Sequence, residues 1–450
     1  MNYSPAKELA SPARELVRRA GRRAGRKYLC YLFLLAPLIL CKCGKKPQET
    51  KPAPGVTEIS IFTMQLRPLF DDYFLRLIGE FEKNRPGVKI KWLDYPATNY
   101  DTKLLTSFMG ENPPDVVNLS PQMLLNFAPR DTLAPLDGLV PRDVLDTYFP
   151  DVIRDGCMFG DKIYGIPWYL ATAVAMINMK IFEEAGLTEK DIPTTNEELW
   201  EIAKTIRKKT DKFAIFPGYT EAGAMHGMLY DAGVPILDPT EKHAIFNTPK
   251  AVKAFKYWID FYREGLVPSE ALTAMHRRPI ELYKSGKLAI FSSGAQFLKL
   301  VKSDSPDVYA RTVVRPRLIW KDHESYTIDV QLLSIARKSR HPKLASEFAQ
   351  FVTNGENQLN FCKIVPIIPS VIKAAEDPYF TDVEDTPMGL ARKYAAAQIK
   401  KGVVVRFPQK HSARLFKIMD DITEKVGLGQ MTPEEGIKQA EDKWNEILRE

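Results

Sequence analysis

The chain has 450 residues, 45% hydrophobic and 10% aromatic, which is enough to bury sizeable cores in two lobes of ordinary domain size. Its net charge of +7 comes from 63 basic and 56 acidic side chains, but residues 1–40 hold eight basic and two acidic ones, leaving +1 for the other 410. A nearly neutral body offers no electrostatic footprint for nucleic acid, and the five cysteines and six histidines lack metal-ligand spacing, so no nucleic-acid partner, metal or cofactor is expected.

The chain opens on a basic stretch, Arg14 to Lys27, followed by an apolar run from Tyr28 to Leu40. A basic lead-in before a short apolar core is an export signal, since a membrane-spanning helix needs about 20 apolar residues. Leu38-Ile39-Leu40-Cys41 resembles the bacterial lipobox, although Leu40 is bulky where Gly, Ala or Ser is usual. Three readings stand: a lipoprotein signal with a relaxed lipobox, an uncleaved N-terminal anchor, or a cleaved soluble periplasmic protein. The first is taken here. Residues 1–41 are then the signal with lipid on Cys41, and residues 42–56 a Pro-rich polar tether.

Beyond the tether, Thr57 to Thr63 alternates as a strand, with Ile59 and Ile61 on one face. Pro68 to Lys83 carries Leu69, Tyr73, Leu77 and Phe81 at helical spacing. Val88 to Trp92 alternates again, Thr102 to Met109 is helical, and Asp115 to Leu119 reads as a buried strand. This strand–helix succession predicts a parallel sheet with helices packed on it. A helix over Thr195 to Lys208 precedes an Ala214-Ile215-Phe216 strand, and Lys287 to Phe291 is a further strand. Arg207-Lys208-Lys209 reads as a solvated helix face. Cys157 and Cys362, far apart in sequence, read as two isolated buried thiols, with a disulfide as the alternative.

The order of landmarks resembles the extracellular solute-binding proteins of sugar-type ABC importers, the maltose-binding-protein-like group. The resemblance rests on FEKNRPGVKIKW, PPDVVNL, LAPLDGLV, GDKIYGIPWYLATAVAMINMKIFEEAGL, PTTNEELWEIAKTI, FNTPKAVKAFKYWIDFYREGLVP, YKSGKLAIFSSGAQFL, SRHPKLASEFAQFVTNGENQLNF and MTPEEGIKQAEDKWNEI, which span nearly all of residues 57–450. It implies an α/β, two-lobed periplasmic-binding-protein fold of type II. Each lobe would be a mostly parallel sheet flanked by helices, with the ligand cleft between lobes. Residues 57–167 and 327–372 would form lobe one, and 168–326 with 373–450 lobe two. It also implies a monomer that captures a carbohydrate by hinge closure and hands it to ABC permease subunits, without catalysis.

Ligands of open α/β sheets sit beyond the carboxyl ends of strands. That rule nominates Met64 and Gln65 after the first strand, and Asn118 and Ser120 after PPDVV, with a helix cap or turn as the alternative for Asn118. The resemblance adds Trp168 and Tyr169, which follow Gly165-Ile166-Pro167 where the family often places an aromatic pair; a hinge-packing Trp168 is the alternative. It also adds Gly294, Gln296 and Phe297. Gln296 stands where the family commonly has tryptophan, and Ala171-Thr172 where an acidic residue is frequent. Arg414 and Phe416 occupy the neighbourhood of another family tryptophan. Fewer aromatic platforms imply a shorter or more polar ligand than a long maltodextrin.

Two other readings stay open. A glycerol-phosphate-type polyol ester would need a convergent Arg or Lys in the cleft; Arg278 and His276 are candidates, though an exposed helix face suits both. A lipid-anchored glycoside hydrolase would need paired carboxylates, and Asp94, Asp115 and Asp329 are available.

Overall fold

The computed structural model describes residues 55–450 except 111, 221–222, 274–276, 406–407 and 409–410, so Cys41, the export signal and His276 lie outside the described residues. Strand β1 (Thr57–Met64) forms where its alternation predicts, with Ile59 and Ile61 fully buried. Helix α1 (Asp71–Lys83) has Asp71 and Asp72 in its first turn and Lys83 in its last, each sign suited to the helix dipole. It starts at Asp71 rather than Pro68. Leu69, placed on the buried stripe by its spacing, therefore lies ahead of the helix and is 60% exposed.

Strand β2 (Val88–Tyr95) pairs parallel with β1, and after α2 (Tyr100–Met109) the fully buried β3 (Val116–Leu119) pairs parallel on β1's other side. Helix α3 (Pro121–Phe127) follows β3 directly. Strand β4 (Ile166–Ala171) then leads within two residues into β5 (Ala173–Asn178), which belongs to a second sheet. Helices α4 (Asn196–Lys209), α5 (Ala224–Asp231) and α6 (Pro249–Arg263) precede strands β6 (Ile290–Gly294) and β7 (Thr312–Pro316). Arg207, Lys208 and Lys209 are exposed on the last turn of α4, where cations suit the dipole.

The chain returns to the first sheet as β8 (Tyr326–Ile335), which inserts antiparallel between β3 and β4. Helices α7 (Pro342–Thr353) and α8 (Gly355–Cys362), the short β9 (Ile368–Pro369), α9 (Pro387–Ile399), β10 (Gly402–Val404), α10 (Ser412–Gly427) and α11 (Pro433–Leu448) complete it. The first sheet runs β9-β4-β8-β3-β1-β2, with β10 beside the start of β8. The second runs β6-β5-β7 and is antiparallel throughout, not mostly parallel as expected for both lobes. The cause is local. The segment after α4 makes only an isolated parallel bridge, Phe213 to Leu288, and then diverges, so Ala214–Phe216 is not a strand.

Two hydrophobic cores result. In the first, Phe74 stacks on Trp92 with centroids 4.8 Å apart and meets Trp168 edge-on at 5.6 Å. Cys157 and Cys362 are buried free thiols in that core. In the second, α10 and α11 pack on α6 around the fully buried Trp444, whose indole N–H donates to the Leu415 carbonyl at 2.9 Å. A Thr432–Glu435 capping box starts α11, where the sequence reads TPEE. Among the described residues, no helix is long and apolar enough to cross a membrane.

Candidate functional site

Strand directions decide which loops face each other. Strands β1, β3 and β4 are parallel, so their carboxyl ends share one edge of the first sheet, and β4 leaves that edge to become β5. In the second sheet β5 runs away from the crossover while β6 and β7 run back, pairing Gly294 with Ala173 and Pro316 with Val174. The loops after β1, β3, β6 and β7 therefore converge on the crossover side, as the strand-end rule requires.

On the first lobe, Gln65 is exposed with φ of +56°, a left-handed conformation uncommon outside glycine and asparagine. Asp94 holds that turn by accepting from the Thr63 hydroxyl at 2.7 Å and from the Leu66 and Arg67 amides at 3.0 Å. Met64 is half-buried against the first core. Ser120 caps α3, its hydroxyl accepting from the Met123 amide at 3.3 Å. Asn118 is 1% exposed and braces β3 to β8, donating to the Gln331 side chain at 2.9 Å and the Leu332 carbonyl at 3.3 Å.

Trp168 is also withdrawn from the cleft. It is fully buried, stacked on Phe361 at 5.5 Å with planes 11° apart. This is the hinge-packing alternative: β4 is an interior strand, paired by β8 and β9, and Trp168 points into the aromatic cluster of the first core. Tyr169 is half-buried, edge-on to Phe361 at 5.8 Å.

On the second lobe, the Gln296 amide folds over Gly294 so closely that a Cβ there would lie 2.2 Å from its Oε1. A side chain at position 294 would displace the Gln296 amide from this place. Gln296 Oε1 is buried without a hydrogen-bond partner. Phe297 packs edge-on against Phe291 at 5.7 Å and, with Ser292 and Ser293, lines a cavity of about 520 Å³. The cavity opens where the Phe213–Ala214 segment leaves β6: the Ala289 and Ile290 amides donate to it at 2.9 and 2.8 Å, and beyond them the two backbones part. Its apolar walls include Phe216, Trp258 and Trp320.

Two charges also line it. The Arg317 guanidinium donates to the Asp231 carboxylate and to the Thr327 hydroxyl. Burial lowers the Arg317 pKa to about 10, while the negative charge of Asp329 opposes that shift. The Arg317 amide donates at 2.7 Å to Gln398, whose Nε2 donates at 2.8 Å to the Ala173 carbonyl, tying α9 to the crossover. Sequence reasoning missed Asp231, Arg317, Trp258 and Trp320. Only Trp258 carried a signal, its helical spacing from Phe255 and Phe261, and that pattern reads as core.

A second groove of about 450 Å³ joins Gln122, on α3 of the first lobe, to Thr220, Phe416 and Asp420 of the second. Burial pushes the Asp420 carboxyl up to about 6; the Gly223 backbone and Lys417 oppose this, and Asp421 adds to it. Lys417 pairs with Asp421 at 3.0 Å. Arg414 points elsewhere, to the Glu450 carboxylate, and Arg278 is held by Glu270 at 2.8 Å.

The chain matches the profile of the bacterial extracellular solute-binding proteins over residues 76–387. It belongs to that family. Its fold is that of the type II periplasmic binding proteins. Among the family's solved structures, a periplasmic-binding protein of Synechococcus sp. MITs9220, crystallised with zinc, is 31% identical with a TM-score of 0.80 over 87% of this chain and 99% of that one. Among the described residues here, no group of three or more His, Cys, Asp or Glu could hold a metal ion. The cyclic alpha-maltosyl-1,6-maltose binding protein of Arthrobacter globiformis shares the fold, with a TM-score of 0.75 at 20% identity over 88% of this chain and 100% of that one. Two curated relatives are the diacetylchitobiose binding protein DasA of Streptomyces coelicolor, 24% identical over 67% of this chain and 70% of its own, and the galactooligosaccharide-binding protein of Bacillus subtilis, 22% identical over 91% and 95%.

Proposed function

We propose that this chain is the substrate-binding component of an ABC importer, taking a neutral di- or oligosaccharide between its lobes and delivering it to membrane permease subunits. The first sheet, which keeps β4 through Ala171 and also takes β10, acts with its helices as one lobe, so the boundaries expected at residues 167/168 and 372/373 shift; the second sheet with α4, α5, α6, α10 and α11 acts as the other. The observation that carries this reading is the cavity of about 520 Å³ on the crossover side of the second lobe. Its size falls within the usual range for small-molecule sites, about 300–1,000 Å³. Aromatic walls suit the C–H faces of sugar rings, while Ser292, Ser293 and the Gln296 amide beside them suit hydroxyls. Relatives named for diacetylchitobiose and galactooligosaccharides support the same ligand class.

The crossovers at Ala171–Ala173, at Pro316–Tyr326 and between β10 and α10 serve as the hinge, and a ligand touching both lobes stabilises the closed form through contacts made only there. Lipid on Cys41 and the 42–56 tether keep the protein, as a monomer, near its permease outside the cytoplasm.

A phosphorylated ligand fits less well. The one cation among the described residues lining the cavity, Arg317, is already taken by Asp231 and Thr327. Hydrolysis fits less well too, and binding without turnover is the activity proposed. Asp94 is saturated by three donors of its own turn, and Asp115 by the Ser60 amide and hydroxyl and the Ser339 hydroxyl at 2.6–2.9 Å. Calorimetric titration against maltotriose, diacetylchitobiose, a galactotriose and glycerol phosphate, with product analysis, tests this. Unchanged sugar bound with micromolar or better affinity is expected. Released product, or binding of glycerol phosphate alone, would sink it.

A further inference from the structure

Asp231 is an expensive residue where it stands. It ends α5, where the helix dipole disfavours an anion, and it lines a largely apolar cavity with its side chain 17% exposed. Arg317 answers one carboxylate oxygen, Oδ2; the other, Oδ1, is buried with no hydrogen-bond partner. A buried pair of this kind is rarely a net gain over apolar side chains of the same size, and an unfilled carboxylate oxygen raises its cost. Two more orphans border the same cavity: the indole N–H groups of Trp258 and Trp320, whose rings meet edge-on at 6.4 Å. The cavity wall thus holds one unfilled acceptor and two unfilled donors. A hydroxyl group, which both donates and accepts, complements that set.

Resting on the importer reading above, we infer that Asp231 is a specificity-determining ligand contact: its Oδ1 accepts a hydrogen bond from one sugar hydroxyl seated in the second-lobe cavity. Arg317 is a positioning residue that fixes the carboxylate through Oδ2. The terminal torsion of aspartate is soft, so Oδ1 turns toward the cavity without leaving the guanidinium. The same carboxylate, with Asp329 also near Arg317, repels an anionic substituent, so uronates and sugar phosphates are excluded while neutral sugars enter.

The experiment is a cycle between protein and ligand. Wild type, Asp231→Ala, and the double variant Asp231→Ala with Arg317→Met, which leaves no stranded cation, are titrated with the tightest-binding sugar of the panel. Each of its monodeoxy derivatives and the corresponding uronate follow, and melting temperatures are recorded alongside. One monodeoxy derivative should bind wild type at least tenfold more weakly than the parent sugar, yet bind both variants as well as the parent does. The uronate should bind wild type at least tenfold more weakly than the parent. Uniform weakening of every ligand in the variants, with no coupled hydroxyl, would make Asp231 merely the partner of Arg317 and overturn the inference. Tighter binding of the uronate would overturn it as well, because Arg317 would then be the contact. Failure of wild type to bind any sugar would overturn the importer reading with it.

Discussion

At position 168 the sequence offers a tryptophan beside the crossover, and both a stacking platform and a packing residue fit that description. Its surroundings separate the two roles: Phe361 on one face, Phe74 against an edge, no exposed surface. Trp168→Ala should therefore cost about 3–5 kcal/mol of stability, the usual range for emptying a large aromatic site, with sugar affinity little changed. Denaturant unfolding and titration of the same variant check this; lost affinity at full stability would restore the platform role. Gln65 shows the opposite relation between sequence and structure. Strand-end position alone nominates it, and its positive φ and exposure fit a residue held for contact rather than packing. Asn118 was equally nominated, yet its amide is spent on β8, a partner more than two hundred residues away that no local pattern reveals.

Among the elements, those over residues 57–119 were legible because strand and helix periods alternate cleanly there. The misses have physical causes. Leu69 fits a helical stripe that the helix does not reach, and Ala214–Phe216 has strand-like composition, but its segment parts from the Lys287–Ile290 stretch after three backbone hydrogen bonds. That divergence is what opens the cavity, so the failed strand and the site are one feature. Asp231 and Arg317 escaped because their meaning lies in each other, on α5 and just after β7. Helix α10 carries a titration of its own. Asp420 has its folded pKa raised from 3.8 to about 6, chiefly by burial, so the fold favours its protonated form. That contribution is present below about pH 4 and is lost as pH rises through about 6. Asp420→Asn should melt higher than wild type at pH 7, with the difference vanishing below pH 4. A constant difference across pH would show that the carboxyl does not titrate in that window.

At the scale of the whole molecule, two sheets of different character are joined by crossovers, and the cavity is walled by the second lobe and the Arg317–Ser325 crossover. The order of elements and the family resemblance were enough for the fold class but not for the antiparallel second sheet, and locating the cavity needed the three-dimensional paths of segments distant in sequence. The N-terminal anchor proposed above would add position rather than recognition, and the binding account holds whichever form it takes. The central claim is that a neutral sugar closes the lobes on each other. Small-angle X-ray scattering of the protein with and without its tightest-binding saccharide tests this most directly. The account predicts a smaller radius of gyration at saturating sugar, reversed when the sugar is removed. Saturation by sugar with no change in radius would contradict it.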